Sequence, residues 1–262
     1  MPHVLAVSNQ KGGVGKTTTA VNLAASLAHL GHPTLLVDLD PQGNASSGVG
    51  CPPDAVETGT YDMLLHGASI NEVTYGTSID GLDVVPATEP LIGAEIEMYG
   101  VPRPQLRFRE ALAQVSPFYE FVVTDGPPSL GMLTINSLAA AHSVLIPVQG
   151  EYFALEGLGA LMRTMAQVRK SLNPGLRREG LVMTMHDPRS RLCRAVTREL
   201  REMFEDEVFD AVIPRNVRLG EAPSHGEPAL GYEPRSVGAR SYLALAEELV
   251  AKNHAHLLEA SA

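Results

Sequence analysis

The chain has 262 residues, of which 44% are hydrophobic, and a formal net charge of −10. That is enough apolar material for a full core in one domain spanning residues 1–262, and no stretch approaches the ~20 apolar residues needed to cross a bilayer. Two widely separated cysteines, Cys51 and Cys193, outside any C-x-x-C pattern, exclude a disulfide framework and a metal knuckle.

The first apolar run, Val4 to Ser8, reads as a strand. It leads directly into Q-K-G-G-V-G-K-T-T-T at residues 10–19 rather than into a cleavage site, so a cytoplasmic protein is expected. Within this run, Gly15, Lys16 and Thr17 form the G-K-T of a phosphate loop, whose backbone N–H groups and following helix N-terminus cradle phosphate oxygens. Lys16 would sit on the β- and γ-phosphates, and Thr17 would offer its hydroxyl to Mg²⁺. The strict motif needs glycine five residues before Gly15, where this chain has Gln10. A second lysine, Lys11, stands inside the loop instead. Because Lys16 already serves the phosphates, a second cation is most useful if two subunits sandwich their nucleotides face to face.

A helix is predicted over Thr17 to Leu30, with Ala20, Leu23, Ala24, Leu27 and Leu30 on one face and Gly31 as its stop. Further strands are predicted at Thr34–Val37, Leu82–Pro86, Phe121–Thr124, Val144–Val148 and Leu181–Thr184, with a weaker one at Val208–Ile213. Several are apolar throughout, as strands covered on both faces of a parallel sheet should be. Strands alternating with helical patterns predict a doubly wound α/β fold: a mostly parallel twisted sheet with helices on both faces. The stretches Gly48–Gly59 and Pro214–Pro234 read as surface loops beside the site.

Two acidic motifs sit at strand ends, where this architecture places its ligand crevice. In D-L-D-P-Q-G-N, Asp38 and Asp40 point one way and Leu39 the other; a lone acid here is as readily a cap as a metal residue. Asp125 opens D-G-P-P-S and can hold a Mg²⁺-bound water. Charge is unevenly spread: residues 1–162 carry 5 Lys+Arg against 16 Asp+Glu, whereas residues 163–240 carry 14 against 11. Of those 14 cations all but Lys170 are arginine, which permits a basic patch.

The loop K-G-G-V-G-K-T resembles the deviant Walker loop of the ParA/MinD superfamily of dimerising ATPases. The run from Ile213, I-P-R-N-V-R-L-G-E-A-P-S-H-G-E-P, resembles the chromosomal ParA proteins of the Soj group, as do V-Q-G-E-Y-F-A-L-E-G at 148–157 and T-M-H-D-P-R-S-R-L at 184–192. The last departs from the group's usual T-M-Y-D-x-R-T at His186 and Ser190, while Arg189 still matches.

The resemblance implies ATP and Mg²⁺ as ligands, a P-loop fold, and a homodimer formed on ATP binding, in which Lys11 reaches the partner's nucleotide. Residues Lys11, Gly12, Gly13, Val14, Gly15, Lys16, Thr17 and Thr18 would hold the phosphates, and Pro214 and Asn216 would border the adenine. Asp40 would position the attacking water, with Asp38 nearer the metal shell beside Thr17 and Asp125. Arg189 and Arg218 would contact double-stranded DNA without reading its sequence. A ParB-type centromere-binding partner would stimulate hydrolysis, giving a nucleoid-associated partition ATPase. A MinD-like membrane ATPase is the alternative, but the tail A-K-N-H-A-H-L-L-E-A-S-A lacks the basic amphipathic helix such a protein needs. An iron–sulfur reductase needs cysteines in other segments. A small-molecule ligase on the same fold would not explain the long match on the DNA side.

Overall fold

The computed structural model describes residues 2–151 and 154–260, and for 254–260 only the helical backbone. Tyr152 and Phe153 of the 148–157 motif, and the end of the tail, therefore lie outside the described residues or side chains. Eight strands form one sheet: β1 (His3–Val7), β2 (Thr34–Asp38), β3 (Tyr75–Gly76), β4 (Leu82–Val85), β5 (Phe121–Asp125), β6 (Ser143–Gln149), β7 (Arg177–His186) and β8 (Val208–Pro214). Their spatial order is β3-β4-β2-β5-β1-β6-β7-β8. Every neighbouring pair is parallel except β3–β4.

The seven predicted strands are all present, shifted or extended by a few residues at their ends. The two-residue edge strand β3 was not predicted, because two residues carry no detectable period. Among the described residues, ten α-helices connect and cover the sheet: α1 (Lys16–His29), α2 (Asn44–Ser47), α3 (Leu91–Glu97), α4 (Arg107–Leu112), α5 (Met132–Ala140), α6 (Ala154–Ser171), α7 (Arg191–Phe204), α8 (Val217–Glu221), α9 (Ala229–Tyr232) and α10 (Val237–Ala260). The stretch Pro214–Pro234, read as a loop, holds α8, a 3₁₀ turn and α9. These elements are too short to show a helical period against the Gly and Pro punctuation.

Strand alternation divides the core in two. Val4, Ala6, Leu35, Val37, Val122 and Val144 face one layer, packed with residues of α3 to α7. Leu5, Val7, Leu36, Val84, Val123 and Leu145 face the other, packed with α1, α9 and α10. The helices thus lie on both faces, as the doubly wound reading requires.

Helix α1 is buried on more than the one face expected. Thr19, Ala20, Leu23, Ala24, Ser26 and Leu27 are all sealed because the helix lies between the sheet and α10. Its small residues Ala24, Ala25 and Ala28 admit that close approach. Two polar contacts fasten it: Thr19 Oγ1 to Tyr242 Oη at 3.1 Å, and the Ala229 N–H donating to Asn22 Oδ1 at 2.8 Å. Since α1 carries the phosphate loop at its N-terminus, this packing sets where the loop stands. Leu23→Ala, in the fully buried centre of α1, should cost about 2–5 kcal/mol of stability in urea unfolding.

Candidate functional site

The loop between β1 and α1 turns by means of Gly13 (φ 75°) and Gly15 (φ 82°), left-handed conformations that only glycine adopts without cost. Nothing lies within 4 Å of where a Cβ would stand on Gly12 or Gly13, so the inner wall of the loop is open. Among the described residues, the amides of residues 12–18 have no acceptor. These inward N–H groups at a helix N-terminus make an anion cradle. The Lys16 ammonium curls over it, donating to the Lys11 carbonyl at 3.2 Å. Burial lowers the Lys16 pKa, opposed by the nearby carboxylates of Asp125 and Asp40.

Asp38 and Asp125 are register partners at the ends of β2 and β5, and alternation turns both toward the α1 side. Both are completely buried, yet their surroundings differ. Asp38 accepts from the Asp40 N–H at 3.1 Å, the Ser46 N–H at 2.8 Å and the Ser46 hydroxyl at 2.7 Å. Its pKa still rises to about 6, because burial outweighs those bonds. Among the described residues, neither carboxyl oxygen of Asp125 has a hydrogen-bond partner. Burial first and Asp38 second drive its pKa well above the ordinary value, with the neighbouring Thr17 hydroxyl and Lys16 ammonium opposing the rise.

An orphaned buried carboxylate beside a threonine hydroxyl and an anion cradle fits a Mg²⁺–phosphate ligand, whose coordination shell is completed by phosphates and water. Among the described residues no group of three or more His, Cys, Asp or Glu could hold a metal ion. Asp40 lies just past β2, nearly buried, and accepts the Gln42 N–H at 3.0 Å.

A cavity of about 200 Å³ adjoins the loop. Gly15, Thr18, Pro214 and Asn216 line it together with Met185 and Tyr242. Asn216 caps α8 by accepting from the Arg218 N–H at 2.9 Å, which leaves its amide nitrogen for a ligand. Met185 has φ 48°, a strained backbone for a residue with a side chain. Thr184 Oγ1 donates to the Val14 carbonyl at 2.8 Å, tying β7 to the phosphate loop.

The two remaining groups of predicted residues stand apart from this crevice. Lys11 pairs with Glu151 at 2.5 Å, so its ammonium is held by the loop after β6. Arg189 is 90% exposed and pairs with Asp187 at 3.1 Å; Arg218 pairs with Glu221 at 2.6 Å. Ser46, Glu151, Met185 and Tyr242 were missed by the sequence reading. Ser46 sits in a one-turn helix with no period to reveal it, Glu151 falls inside the 148–157 motif but was given no role there, and Met185 and Tyr242 read as ordinary core.

A carboxyl held protonated by burial binds more protons folded than unfolded, so its contribution to stability falls as pH rises from the unfolded toward the folded pKa. The ligand-free protein should therefore lose stability as pH rises from about 4, through Asp38 titration near 6 and beyond it through Asp125. Asp125→Asn removes a group that must take up a proton to be buried. It should raise ligand-free stability at neutral pH by on the order of 1–3 kcal/mol and flatten the decline at higher pH, as read by thermal melts across a pH series.

The AAA domain family matches residues 2–178. The sporulation initiation inhibitor protein Soj of Bacillus subtilis is 51% identical over 251 residues, covering 96% of this chain and 99% of the relative. The chromosome partitioning protein ParA of Myxococcus xanthus is 49% identical, covering 96% and 89%. Among solved structures, cobyrinic acid a,c-diamide synthase of Mycobacterium smegmatis, with bound ADP and magnesium, superposes with a TM-score of 0.83 at 34% identity over 95% and 94% of the two chains. The septum site-determining protein MinD of Pyrococcus horikoshii, complexed with Mg-ADP, gives 0.77 at 25% identity over 95% and 96%. No helix of the described residues is long and apolar enough to cross a membrane. A phosphate loop with an extra lysine, two strand-end acids facing it, and half-identical partition proteins matched from end to end put this chain in the Soj/ParA family of chromosome-partitioning proteins.

Proposed function

We propose that the chain is one Mg²⁺-dependent ATPase domain of chromosome or plasmid partition, which dimerises around ATP, holds DNA nonspecifically and lets go on hydrolysis. The observation that carries this reading is the open amide cradle set against the unpaired, buried Asp125. Gly12 to Thr18 bind the phosphates, and the pocket bounded by Pro214 and Asn216 takes the base. Mg²⁺ bound with ATP supplies charge neutralisation on the transferring phosphoryl group. Thr17 and Asp125 would hold it, Asp125 directly or through water. Asp38, whose oxygens are already bonded to Ser46 and the Asp40 amide, supports this shell and fixes the turn that carries Asp40.

Asp40 orients the attacking water through its free carboxylate oxygen, and Lys16 stabilises charge developing on the phosphoryl oxygens. Lys11 does not turn into its own cradle: its ammonium is taken by Glu151. Released from that surface pair, worth little in itself, it would reach the nucleotide of a second copy. Arg189 and Arg218 contact duplex phosphates, and a ParB-type partner stimulates turnover. The relatives' names support chromosome partition, and a cytoplasmic, nucleoid-associated location follows from the same reading.

DNA co-sedimentation with ATP, ADP or no nucleotide tests the reading as a whole; retention only with ATP is expected. Lys11→Ala should still bind ATP through Lys16 and the loop amides but lose ATP-dependent dimerisation and hydrolysis. An ATP-dependent dimer of that variant in light scattering would refute the cross-subunit role. Asp40→Ala should keep nucleotide binding and dimerisation while slowing hydrolysis by roughly 10² or more, measured as phosphate release. Unchanged turnover would reduce Asp40 to a turn cap. Replacing Arg189 or Arg218 by Glu should weaken ATP-dependent binding equally on two unrelated duplexes, because phosphate contacts carry no sequence information; gel shifts measure this.

A further inference from the structure

Helix α7 carries more cations than the function above employs. Arg191, Arg194, Arg198 and Arg201 are spaced three, four and three residues apart, which lines them along one stripe of an α-helix. All four are exposed, while Cys193, Val196 and Leu200 bury the opposite side. Arg201 pairs with Asp210 at 3.1 Å. Arg194 donates to the Pro188 carbonyl at 2.6 Å. Among the described residues, Arg191, Arg194 and Arg198 form no ion pair, although the chain has 30 acids and only 20 Lys+Arg to match them. Like charges at this spacing destabilise a helix. An anionic ligand would offset that cost.

The surroundings indicate which anion. Arg194, Arg198 and Arg201 line an open hollow of about 480 Å³ with His186, Thr197 and Glu202, the last its sole acid. The stripe extends over roughly 15 Å at 1.5 Å per residue. That is too long for a single phosphate group and suits a polyanion with one charge per ~3.4 Å of axis on each strand. Arginine's planar fork grips phosphodiester oxygens in pairs, which lysine cannot do. The hollow also adjoins the nucleotide crevice, because His186 lines it while the preceding Met185 lines the base pocket. Thr184, one residue further back, bonds the phosphate loop.

We propose that the arginine face of α7 is a phosphate track for duplex DNA, running on from Arg189 through Arg191, Arg194 and Arg198. The proposal rests on the DNA-binding reading above and adds a surface to it. The strand-end segment 184–186 links that surface to the phosphate loop, because the track's first arginine, Arg189, follows by five residues the Thr184 hydroxyl that bonds the Val14 carbonyl.

The test is a gel shift with ATP on two unrelated duplexes across a salt series, comparing wild type, Arg194→Ala/Arg198→Ala and Arg194→Lys/Arg198→Lys. The alanine pair should weaken binding on both duplexes and flatten the slope of log K against log salt by about 1.8 per protomer, or twice that in a symmetric dimer. The lysine pair should recover most of the slope. An ATP-induced rise in melting temperature, measured for each variant, verifies that it is folded and binds nucleotide. If the alanine pair matches wild type in affinity and slope, the track is refuted while the DNA reading stands. If wild type itself fails to bind either duplex with ATP, the DNA reading falls and the track with it. If the alanine pair loses binding to phosphatidylglycerol vesicles but not to DNA, the occupant is a membrane surface and the proposal is overturned.

Discussion

Two carboxyl groups, Asp38 and Asp125, stand side by side at the ends of adjacent parallel strands, both fully buried. Parallel register forces the proximity: strands about 4.8 Å apart bring same-facing residues together, and both acids point to the layer that holds α1. One is satisfied by Ser46 and the turn after β2; for the other, no hydrogen-bond partner stands among the described residues. Such an arrangement costs stability in the ligand-free chain, and the fold tolerates it because the core on both sides of the sheet is extensive. The demand for a cation opposite Asp125 then dictates much of the neighbourhood. It accounts for the threonine at the start of α1, the lysine whose own pKa is lowered by burial, and the row of unpaired amides.

The placement of α1 makes that neighbourhood rigid. A helix carrying a phosphate loop must not shift against the strands that carry the acids. Here it is enclosed by the sheet on one side and α10 on the other, pinned by Tyr242 and by Asn22. Small residues along α1 permit the enclosure, and the long C-terminal helix completes it. Residues over 200 positions apart in sequence thus determine the position of Lys16 to within the reach of its target.

The surfaces that would respond to nucleotide are built on the same frame. Lys11 rests against Glu151, two residues after the end of β6. Between them, α7 lies so close to Gly150 that a Cβ there would fall 2.7 Å from Cys193 Sγ. The loop that holds the signature lysine is therefore the seat of the helix with the arginine face. On its other flank, α7 borders the end of β7, which bonds the phosphate loop through Thr184. Helix α7 thus touches the loop after β6 directly at Gly150 and Cys193, and faces the end of β7 across the hollow lined by His186.

Much of this was legible in the chain. Apolar runs bounded by glycine and proline marked seven strands, because a strand covered on both faces has no polar side to obscure it. The phosphate loop and the strand-end acids were legible because close approach of backbone to phosphate admits few residue types, so the chemistry leaves a contiguous motif. The short helices after β8 were hidden among the glycines and prolines of 214–234. The difference between the two buried acids was hidden as well: Asp38 and Asp125 look alike in sequence, and only folding supplies Ser46 to one and, among the described residues, no partner to the other. Glu151 as the holder of Lys11, Met185 as a wall of the cavity beside the phosphate loop and the hollow beside α7 each depend on residues far apart in the chain. Local chemistry determined what the loop binds; the packing of β6, β7, α7 and α10 around it decided how that site is anchored and which surfaces adjoin it, because those contacts arise only when distant segments share a sheet edge.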